Sequence, residues 1–537
     1  MKRIFISALL LSSLIFTGQT VKRPDNWFNL DPATDKVNGV STEKTYKELL
    51  KDKKSTPVIV GVIDSGVDYN HEDLKNVMWT NPGEIAGNGV DDDKNGYIDD
   101  IHGWNFIGGK DGRNVEADNL EMTRLMRKLK PKYDGKTEAD FKTKDEKKEL
   151  KFYLALKEDF TKTKDEFEGG YNQFKFLKEG LAGLNTKVKE EQKVEKVTPV
   201  ELEKFNATEK TDKQMKLVAT SIMKSGQAKD VDGCIDAVNG GFEQYKSYVE
   251  SGLNLDFDPR SIVGDDYSNS NERYYGNADC NGPDSFHGTH VSGIIAASRS
   301  NGVGMDGIAA DVKIMAIRCV PNGDERDKDI ANGIRYAVDN GATILNMSFG
   351  KKYSWDKKVV DEAVKYADSK GVLIIHAAGN DGEDIDKVTH YPCKKFEGKG
   401  EAANFMDIGA LSWQSNEKMV AGFSNYGKKT VDLFSPGVDI YSTTPKNGYK
   451  DASGTSMASP VAAGVAAVLK SYYPTLTPEQ MKKILMKSSI KDHKSEKVIK
   501  PGTKDEMVKF EKLSKTAGCI NLYEAIKMAD KYTKTKT

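Results

Sequence analysis

The chain of 537 residues is predicted to be an α/β protein that is built on a parallel sheet and carries a large helical insertion. After residue 310, apolar strand-like runs alternate with helix-like segments, at 312–320, 330–339 and 343–347, which is the βαβ rhythm of a parallel sheet. An earlier apolar run, 58–63, has the continuous hydrophobic character of a strand that is buried on both faces. Between these regions, residues 118–262 are rich in Lys and Glu, and their sparse apolar residues recur at helical spacing.

The first twenty residues have the pattern of a secretory signal peptide. Lys2 and Arg3 precede an apolar core at 4–16, and small or polar residues follow. The alternative is an N-terminal amphipathic strand. The signal-peptide interpretation predicts a protein that is secreted to the extracellular space or the periplasm. Since no later apolar run approaches the length of a membrane span, no stable membrane insertion is expected.

Positive and negative side chains are almost balanced, with 80 basic and 81 acidic residues and a net charge of -1. No global field therefore attracts nucleic acid or an anionic membrane, and neither is an expected partner. No organic cofactor is expected. The sequence does not define an oligomeric state.

Residues 454–460 contain the strongest candidate for a nucleophile, Ser456. Small residues in the apolar run that follows, 461–469, let a buried helix pass close to a sheet. A serine at the first turn of such a helix lies beside free backbone N–H groups and the positive end of the helix dipole. Pro460 is expected near the helix start, because proline lacks the N–H that an interior position needs. The alternative is an N-cap serine with no further role.

A serine nucleophile needs a base, and the base needs an orienting carboxylate. Asp64 directly follows the apolar run 58–63 and is therefore expected at the C-terminal end of a strand. His287 opens a second small-residue helix that runs through residue 297. The sequence therefore contains one candidate for each of the three roles.

Three motifs around these residues resemble those of the subtilisin-like serine proteases, the subtilases. They are IDSGVD at 63–68, HGTHVSG at 287–293 and GTSMASP at 454–460, in the order Asp, His, Ser. Residues 377–380 resemble the oxyanion-hole segment of that family, with Asn380 as the donor. The resemblance covers roughly 40–117 and 263–530. It implies an open, mostly parallel sheet with the site at the carboxyl edge of the strands.

The same resemblance implies a function, namely a secreted serine endopeptidase that hydrolyses peptide bonds of a protein or peptide substrate through an acyl-enzyme. A rival from another class is a secreted binding or scaffolding protein on a degenerate protease fold. Ser348, Phe349 and Gly350 resemble the segment that pairs with the substrate backbone and lines the pocket for the residue before the cut. His390 falls in the opposite wall, where many relatives have a small residue, and predicts a shallower or more polar pocket. The alternative is that His390 is turned to solvent.

An Asp-rich segment follows the first motif and is predicted to bind structural calcium. Oxygen ligands at alternating positions and a glycine at the sharp turn match the first half of a calcium loop. His102 stands where a complete loop of this type has Glu. The alternative is an Asp/Asn/Gly-rich surface turn, but so many carboxylates repel one another without a cation. The predicted ligands are Asp91, Asp93, Asn95, the carbonyl of Tyr97, Asp99 and Asp100.

Subtilases ordinarily have a short connection between the aspartate and histidine motifs, which makes residues 118–262 an insertion. We expect its long helical face to be interrupted at Gly169 and Gly170. Its ends are expected to lie close together, so that a short linker could replace it at modest entropic cost. The insertion is predicted to be a lid, a docking surface or a passive charged appendage. The domains predicted are a signal peptide at 1–20, an N-terminal extension at 21–50, a catalytic domain in two parts at 51–117 and 263–537, and the insertion at 118–262.

Overall fold

The computed structural model describes residues 23–534, except for the side chain of Lys534, so the predicted signal peptide at 1–20 lies outside the described residues. Its centre is a parallel sheet of seven strands in the order β2-β3-β1-β4-β5-β6-β7, which confirms the predicted α/β fold. The strands are β1 Val58–Asp64, β2 Gly103–Asn105, β3 Val312–Arg318, β4 Ile344–Met347, β5 Leu373–Ala377, β6 Phe405–Leu411 and β7 Val431–Pro436.

Two antiparallel strand pairs and a set of helices surround this sheet. The pairs are β8 Ile440–Thr444 with β9 Gly448–Ala452, and β10 Lys497–Ile499 with β11 Met507–Lys509. The α-helices are α1 Pro32–Asp35, α2 Thr42–Thr45, α3 Glu121–Tyr133, α4 Lys144–Gln192, α5 Pro199–Lys204, α6 Lys210–Lys224, α7 Val231–Ser247, α8 Phe286–Ala296, α9 Asp327–Asp339, α10 Lys357–Ser369, α11 Thr455–Tyr472, α12 Pro478–Ser488 and α13 Leu522–Lys534. None of the helices in the described part of the chain combines the length and the hydropathy that a membrane crossing requires.

Different helices cover the two faces of the sheet. Val60 and Val62 of β1 belong to the apolar cluster that includes α8 and α11, whereas Ile63 belongs to the cluster that includes α9 and α10. β1 is therefore buried on both faces, as its sequence predicts. It pairs with β3 on one side and β4 on the other, so that Asp64, its last residue, lies at the carboxyl edge near the middle of the sheet.

The N-terminal extension packs into the body of the catalytic domain. Trp27 and Phe28 have no exposed surface and belong to the same apolar cluster as β1 and α11. The indole N–H of Trp27 donates to the carbonyl of Asp439 at 3.2 Å, and the carbonyl of Val40 accepts from the N–H of Leu522 at 2.9 Å. The extension thus adds Trp27, Phe28, Val40 and Leu50 to the main apolar core.

The insertion is helical, but its long helix is continuous where the sequence predicts a break. Helix α4 spans 49 residues and passes through Gly169 and Gly170. The expected interruption is wrong because α7 packs along this stretch. A Cβ at Gly170 would lie 2.3 Å from the ring of Tyr245, so the missing side chain is what admits the aromatic ring. Tertiary packing here outweighs the low helix propensity of glycine.

Two apolar clusters divide the insertion along its length. The inner cluster joins α3 to the first half of α4 and includes Tyr133 and Tyr153. The outer cluster joins the second half of α4 to α5, α6 and α7 and includes Leu184 and Met215. Only the inner cluster reaches the catalytic domain, where Tyr353 and Trp355 pack against it.

Buried ion pairs anchor both ends of the insertion. Arg326 donates to the carboxylate of Asp118 at 2.7 and 2.9 Å and to that of Asp258 at 3.1 Å, so the two ends lie close together. Lys351 contacts Glu121 at 2.6 Å, and Arg260 contacts Asp329 at 2.6 Å. A linker in place of residues 118–262 would leave several buried charges without partners. Residues at both ends are thus integral to the catalytic domain.

Candidate active site

Asp64 and His287 meet at the carboxyl edge of β1. The Nδ1 of His287, the second residue of α8, lies 2.7 Å from the Oδ1 of Asp64, which also accepts the backbone N–H of Ser65 at 2.8 Å. A Cβ at Gly288 would lie 2.1 Å from the carbonyl oxygen of Gly66. The start of α8 therefore rests directly on the loop after β1, which fixes His287 against Asp64.

The pKa of His287 is raised above its ordinary value. Burial by itself lowers this pKa, but the negative charge of Asp64 and its hydrogen bond outweigh burial, with a smaller contribution from Asp284. Among the described residues, the Nε2 of His287 has no hydrogen-bond partner, and the ring lines a cleft of about 380 Å³. The arrangement leaves Nε2 free to exchange a proton with a group in that cleft.

Ser456 is the second residue of α11 and is bonded to Ser348 in both directions. Its hydroxyl donates to the carbonyl of Ser348 at 3.0 Å, and the Ser348 hydroxyl donates to the carbonyl of Ser456 at 2.9 Å. Pro460 is the sixth residue of the helix, further inside than its sequence suggests. Because proline has no N–H, the Ser456 carbonyl lacks its intrahelical donor, and Ser348 takes that place.

No hydrogen bond connects the side chains of Ser456 and His287, both of which the structure describes. Among the described residues, the hydroxyl of Ser456 donates only to Ser348, which lines the same cleft as Asp64 and His287. The hydroxyl of Ser456 can donate to His287 only after its hydrogen bond to the carbonyl of Ser348 is broken. Such bonds are often long or absent in enzymes without substrate.

Asn380 follows β5 and lies beside the start of α11. Its Oδ1 accepts the backbone N–H of Thr455 at 2.8 Å and the hydroxyl of the same residue at 3.0 Å. Both contacts use the oxygen, so the orientation of the carboxamide leaves Nδ2 as a free donor. In the first turn of α11 the N–H of Met457 donates to the carbonyl of Gly454 at 3.0 Å, whereas the N–H of Ser456 has no acceptor among the described residues. A negative oxygen beside Ser456 would find donors on two sides.

The predicted substrate segments lie next to each other. The N–H of Lys351, which follows Gly350, donates to the carbonyl of Tyr391 at 2.8 Å, and the N–H of Tyr391 donates back at 2.8 Å. Ser348 and Phe349 line the cleft.

His390, just before this bridge, is not turned to solvent. Its side chain is only 13% exposed, and its ring nitrogens lie 3.2 Å from a Glu383 carboxylate oxygen and 3.7 Å from one of Asp381. Sequence reasoning missed both acids, since neither belongs to a recognisable motif.

The carboxylates of the Asp-rich segment make two kinds of contact: hydrogen bonds with backbone N–H groups, and close approaches to one another. Asp91 accepts the backbone N–H groups of Asn95 and Gly96, and Asp99 accepts those of residues 87–89. Carboxylate oxygens of Glu84, Asp93 and Asp100 converge within 4.8 Å of one another, and those of Glu84 and Asp93 also accept backbone N–H groups of the loop. The sequence does not indicate Glu84, because it lies upstream of the alternating pattern. The ring of Tyr97 is buried in the core, which leaves only its carbonyl as a candidate ligand.

Asp100 is the buried member of this convergent group. Burial raises its pKa to about 6, even though hydrogen bonds from Tyr336, Asn81 and Asn95 act in the opposite direction. Asn81 donates to both Asp93 and Asp100, at 3.0 and 2.8 Å, and so holds the two carboxylates side by side.

A parallel sheet whose carboxyl edge gathers an aspartate, a histidine and a serine around one cleft is an architecture of serine hydrolases. The chain belongs to the subtilase family. A sequence model described as "Subtilase family" matches residues 55–514.

Individual relatives match smaller parts of the chain. The "Thermophilic serine proteinase" of Bacillus sp. (strain AK1) is 37% identical over 240 residues, which are 44% of this chain and 54% of that protein. "Subtilisin DY" of Bacillus licheniformis is 35% identical over 236 residues, 44% of this chain and 79% of that protein. The matched region thus spans about half of the first relative. A solved structure, of a "cold adapted subtilisin-like serine proteinase", is 29% identical with a TM-score of 0.36, covering 46% of this chain and 78% of that chain.

Proposed function

We propose that this chain is a secreted serine endopeptidase that hydrolyses peptide bonds through an acyl-enzyme. The hydroxyl of Ser456 attacks the carbonyl carbon of the substrate while the Nε2 of His287 accepts its proton. Asp64, at the Nδ1 of His287, keeps the proton on that nitrogen and stabilises the ring once it becomes positive.

Attack creates a negative oxygen that needs hydrogen-bond donors. The Nδ2 of Asn380 and the backbone N–H of Ser456 are the proposed donors, since both lie at the positive end of α11. The tetrahedral intermediate collapses as His287 donates its proton to the leaving amine. Water then attacks the acyl-enzyme with His287 again as base, and Ser456 is released.

The observation that carries this proposal is the 2.7 Å contact between Asp64 and His287 in a cleft whose other wall, Ser348, holds the hydroxyl of Ser456. A binding protein on a degenerate protease fold needs no free Nε2 and no asparagine aimed at a helix start.

Labelling by a fluorophosphonate probe separates the two functions, because the probe reacts only with an activated serine. The wild type is expected to be labelled and Ser456→Ala is not, whereas the matched variant Ser453→Ala, three residues earlier in the loop, keeps its labelling. An unlabelled wild type would favour the binding protein.

Secretion is proposed from the basic and apolar pattern of residues 1–20. The expected result is a protein outside the cytoplasm whose N-terminus, read by sequencing, lies beyond residue 16. A full-length protein that stays in the cytoplasm would contradict it.

Structural calcium is a further proposal, supported by the convergence of Glu84, Asp93 and Asp100 around a segment of mainly oxygen-bearing side chains. Oxygen donors of this kind suit calcium. The cation would offset the repulsion between carboxylates that Asn81 already holds together. Asp91 and Asp99 would shape the loop through their backbone hydrogen bonds.

A further inference from the structure

A second cavity adjoins the proposed catalytic cleft. The cleft, of about 380 Å³, and this cavity, of about 340 Å³, share Asn322 and Gly323 as a common wall. On the cleft side of that wall lie Ser348 and Phe349, the segment assigned to the substrate residues before the cut. A substrate chain that continued from this segment over residues 322–323 would enter the second cavity.

The far wall of this cavity comes from the insertion. Helix α7 contributes Glu243, Gln244 and Ser247, and the turn that continues it contributes Tyr248. Stacked aromatic rings hold α7 on α4, with the ring centroids of Phe167 and Tyr248 4.2 Å apart. The insertion therefore lines this cavity with α7 and the turn that follows it, whose position is fixed by packing on α4.

Backbone hydrogen bonds and a close backbone contact fix the shared wall, residues 322–323, against the start of the insertion. The N–H of Asn322 donates to the carbonyl of Glu116 at 2.7 Å, and its own carbonyl accepts from Asp118 at 3.0 Å. Gly323 has a φ of +145°, and a Cβ there would lie 2.2 Å from the carbonyl oxygen of Asp118. Only glycine fits this approach, which brings residues 322–324 against the start of the insertion.

The cavity is acidic and partly apolar. Its described lining holds the carboxylates of Glu243 and Asp324, the apolar surfaces of Leu120 and Tyr248, and no basic side chain. The pKa of Tyr248 is raised, first by burial and then by the negative charges of Asp324 and Asp381.

Neighbouring cations act differently on these two carboxylates. Burial raises the pKa of Asp324, although the positive charges of Arg124 and Lys351 act in the opposite direction. Glu243 is half exposed and lies 3.6 Å from Lys178 and 3.9 Å from Lys246, distances at which surface pairs contribute little. Among the described residues, the only hydrogen bond to the Asp324 carboxylate comes from the N–H of Glu121, at 2.7 Å. Arg124 donates to the carbonyl of Asp324 at 3.1 Å but makes no hydrogen bond to its carboxylate. A cationic group entering the cavity would meet two carboxylates that still have free oxygens.

We propose that the insertion builds a substrate subsite in this cavity, and that the subsite selects a basic side chain, arginine or lysine, several residues before the cut. The aliphatic stem of such a side chain packs on Leu120 and Tyr248, and its charged end lies between Glu243 and Asp324. This inference rests on the proposed protease function and adds a substrate class to it. It also gives the insertion a task that neither a passive appendage nor a lid would perform.

The test is a set of peptides with one fixed cleavage sequence, in which arginine or its neutral counterpart glutamine occupies each of the six positions before the cut. The readout is the ratio of kcat/KM for arginine over glutamine at each position. At one position beyond the residue next to the cut, the wild type is expected to prefer arginine by about two- to fivefold, the effect of a partly exposed charge pair. Glu243→Gln and Asp324→Asn are each expected to reduce that ratio, and Glu243→Lys to bring it below one, in favour of glutamine. Asp236→Asn, which removes the same charge two turns earlier on α7 and outside the cavity, should leave the ratio unchanged.

Fluorophosphonate labelling of the same preparations distinguishes failure of the proposed protease function from failure of the proposed subsite. An unlabelled wild type overturns the proposed function, and the subsite with it. A labelled wild type with no preference for arginine at any of these positions overturns the subsite alone, as does a preference that survives Glu243→Gln and Asp324→Asn. If Asp324→Asn does not fold, the two Glu243 variants still decide the question, since Glu243 lies on the surface of α7.

Discussion

Lys351 and Glu121 form a buried ion pair, with 2.6 Å between Nζ and Oε2, that ties the segment after Gly350 to the first helix of the insertion. The Nζ of Lys351 also contacts Asp327 at 2.8 Å. Through this pair, the wall of the proposed substrate pocket depends on α3, the first helix of the insertion.

Glu121→Gln is expected to destabilise the protein by about 3 kcal/mol, because it leaves the ammonium of Lys351 buried with one carboxylate fewer. The free energy of unfolding in urea measures the loss. The matched control is Glu506→Gln, which breaks the exposed Lys500–Glu506 pair at 2.9 Å and should cost less than about 1 kcal/mol. Equal losses in the two variants would show that the buried pair has no special role.

The same carboxylate predicts how stability depends on pH. Burial raises the pKa of Glu121, but Arg124 and Lys351 outweigh it and hold the pKa at about 2, below its ordinary value of 4.5. Its stabilisation is therefore complete above pH 4.5 and is lost as the pH falls towards 2. Urea titrations at pH 3 and pH 6 should show a smaller difference in Glu121→Gln than in the wild type.

Asn380→Ala should lower kcat by about a hundred- to a thousandfold, corresponding to about 3 kcal/mol of transition-state stabilisation. KM should change little, because the proposed donor acts on the oxygen that becomes negative only during attack. Steady-state kinetics on a short chromogenic peptide measure both constants. A raised KM with an unchanged kcat would make Asn380 a residue that binds substrate in its ground state.

In a plot of kcat/KM against pH, the midpoint of the rise on the acid side should lie above the ordinary histidine pKa of about 6.5. His287 acts as a base only when neutral, and its pKa is raised because the charge of Asp64 outweighs burial, so a higher pH is needed to deprotonate it. Asp64→Asn should move the limb of kcat/KM to lower pH while reducing kcat about ten-thousandfold. If the midpoint of the acid limb is unchanged in this variant, the limb reports the titration of a group other than His287.

Calcium removal should lower Tm more than it lowers turnover, because the Asp-rich loop does not line the cleft. A ligand at a hundred times its Kd stabilises by about 2.7 kcal/mol. Glu84→Gln and Asp93→Asn should each abolish the calcium-dependent rise in Tm, whereas Asp111→Asn, an exposed carboxylate outside the convergent group, should retain it. If all three variants respond to calcium alike, the loop is an ordinary turn.

Shortening the insertion should be tolerated only in its outer part. Replacing residues 181–238 by a short loop removes the outer cluster but keeps α3, the inner cluster and the part of α7 that lines the cavity. We expect this variant to fold and to cleave a small peptide. Deletion of all of 118–262 is expected to yield insoluble protein, because Lys351 and Arg326 lose buried partners. A soluble and active full deletion would contradict the integral role of α3.

The sheet and the positions of Asp64, His287 and Ser456 were predictable because each depends on local pattern. A strand buried on both faces is an unbroken apolar run, and a helix that approaches a sheet closely is a run of small residues. In contrast, the continuity of α4 through Gly170 depends on a ring from α7 that is distant in sequence. Glu121 and Lys351 are likewise 230 positions apart, and nothing in either neighbourhood distinguishes them from the many exposed Glu and Lys residues. The convergence of Glu84 with Asp100 depends on a loop path that no spacing rule encodes.

The burial of the N-terminal extension sets the order of events in folding. Trp27 donates a hydrogen bond to Asp439, 412 positions later, and Val40 accepts one from Leu522 on α13. Contacts of such separation form slowly and cannot form before nearly the whole chain has been made. A growing or translocating chain therefore cannot complete the packing of its N-terminal extension until residues 439 and 522 have been made.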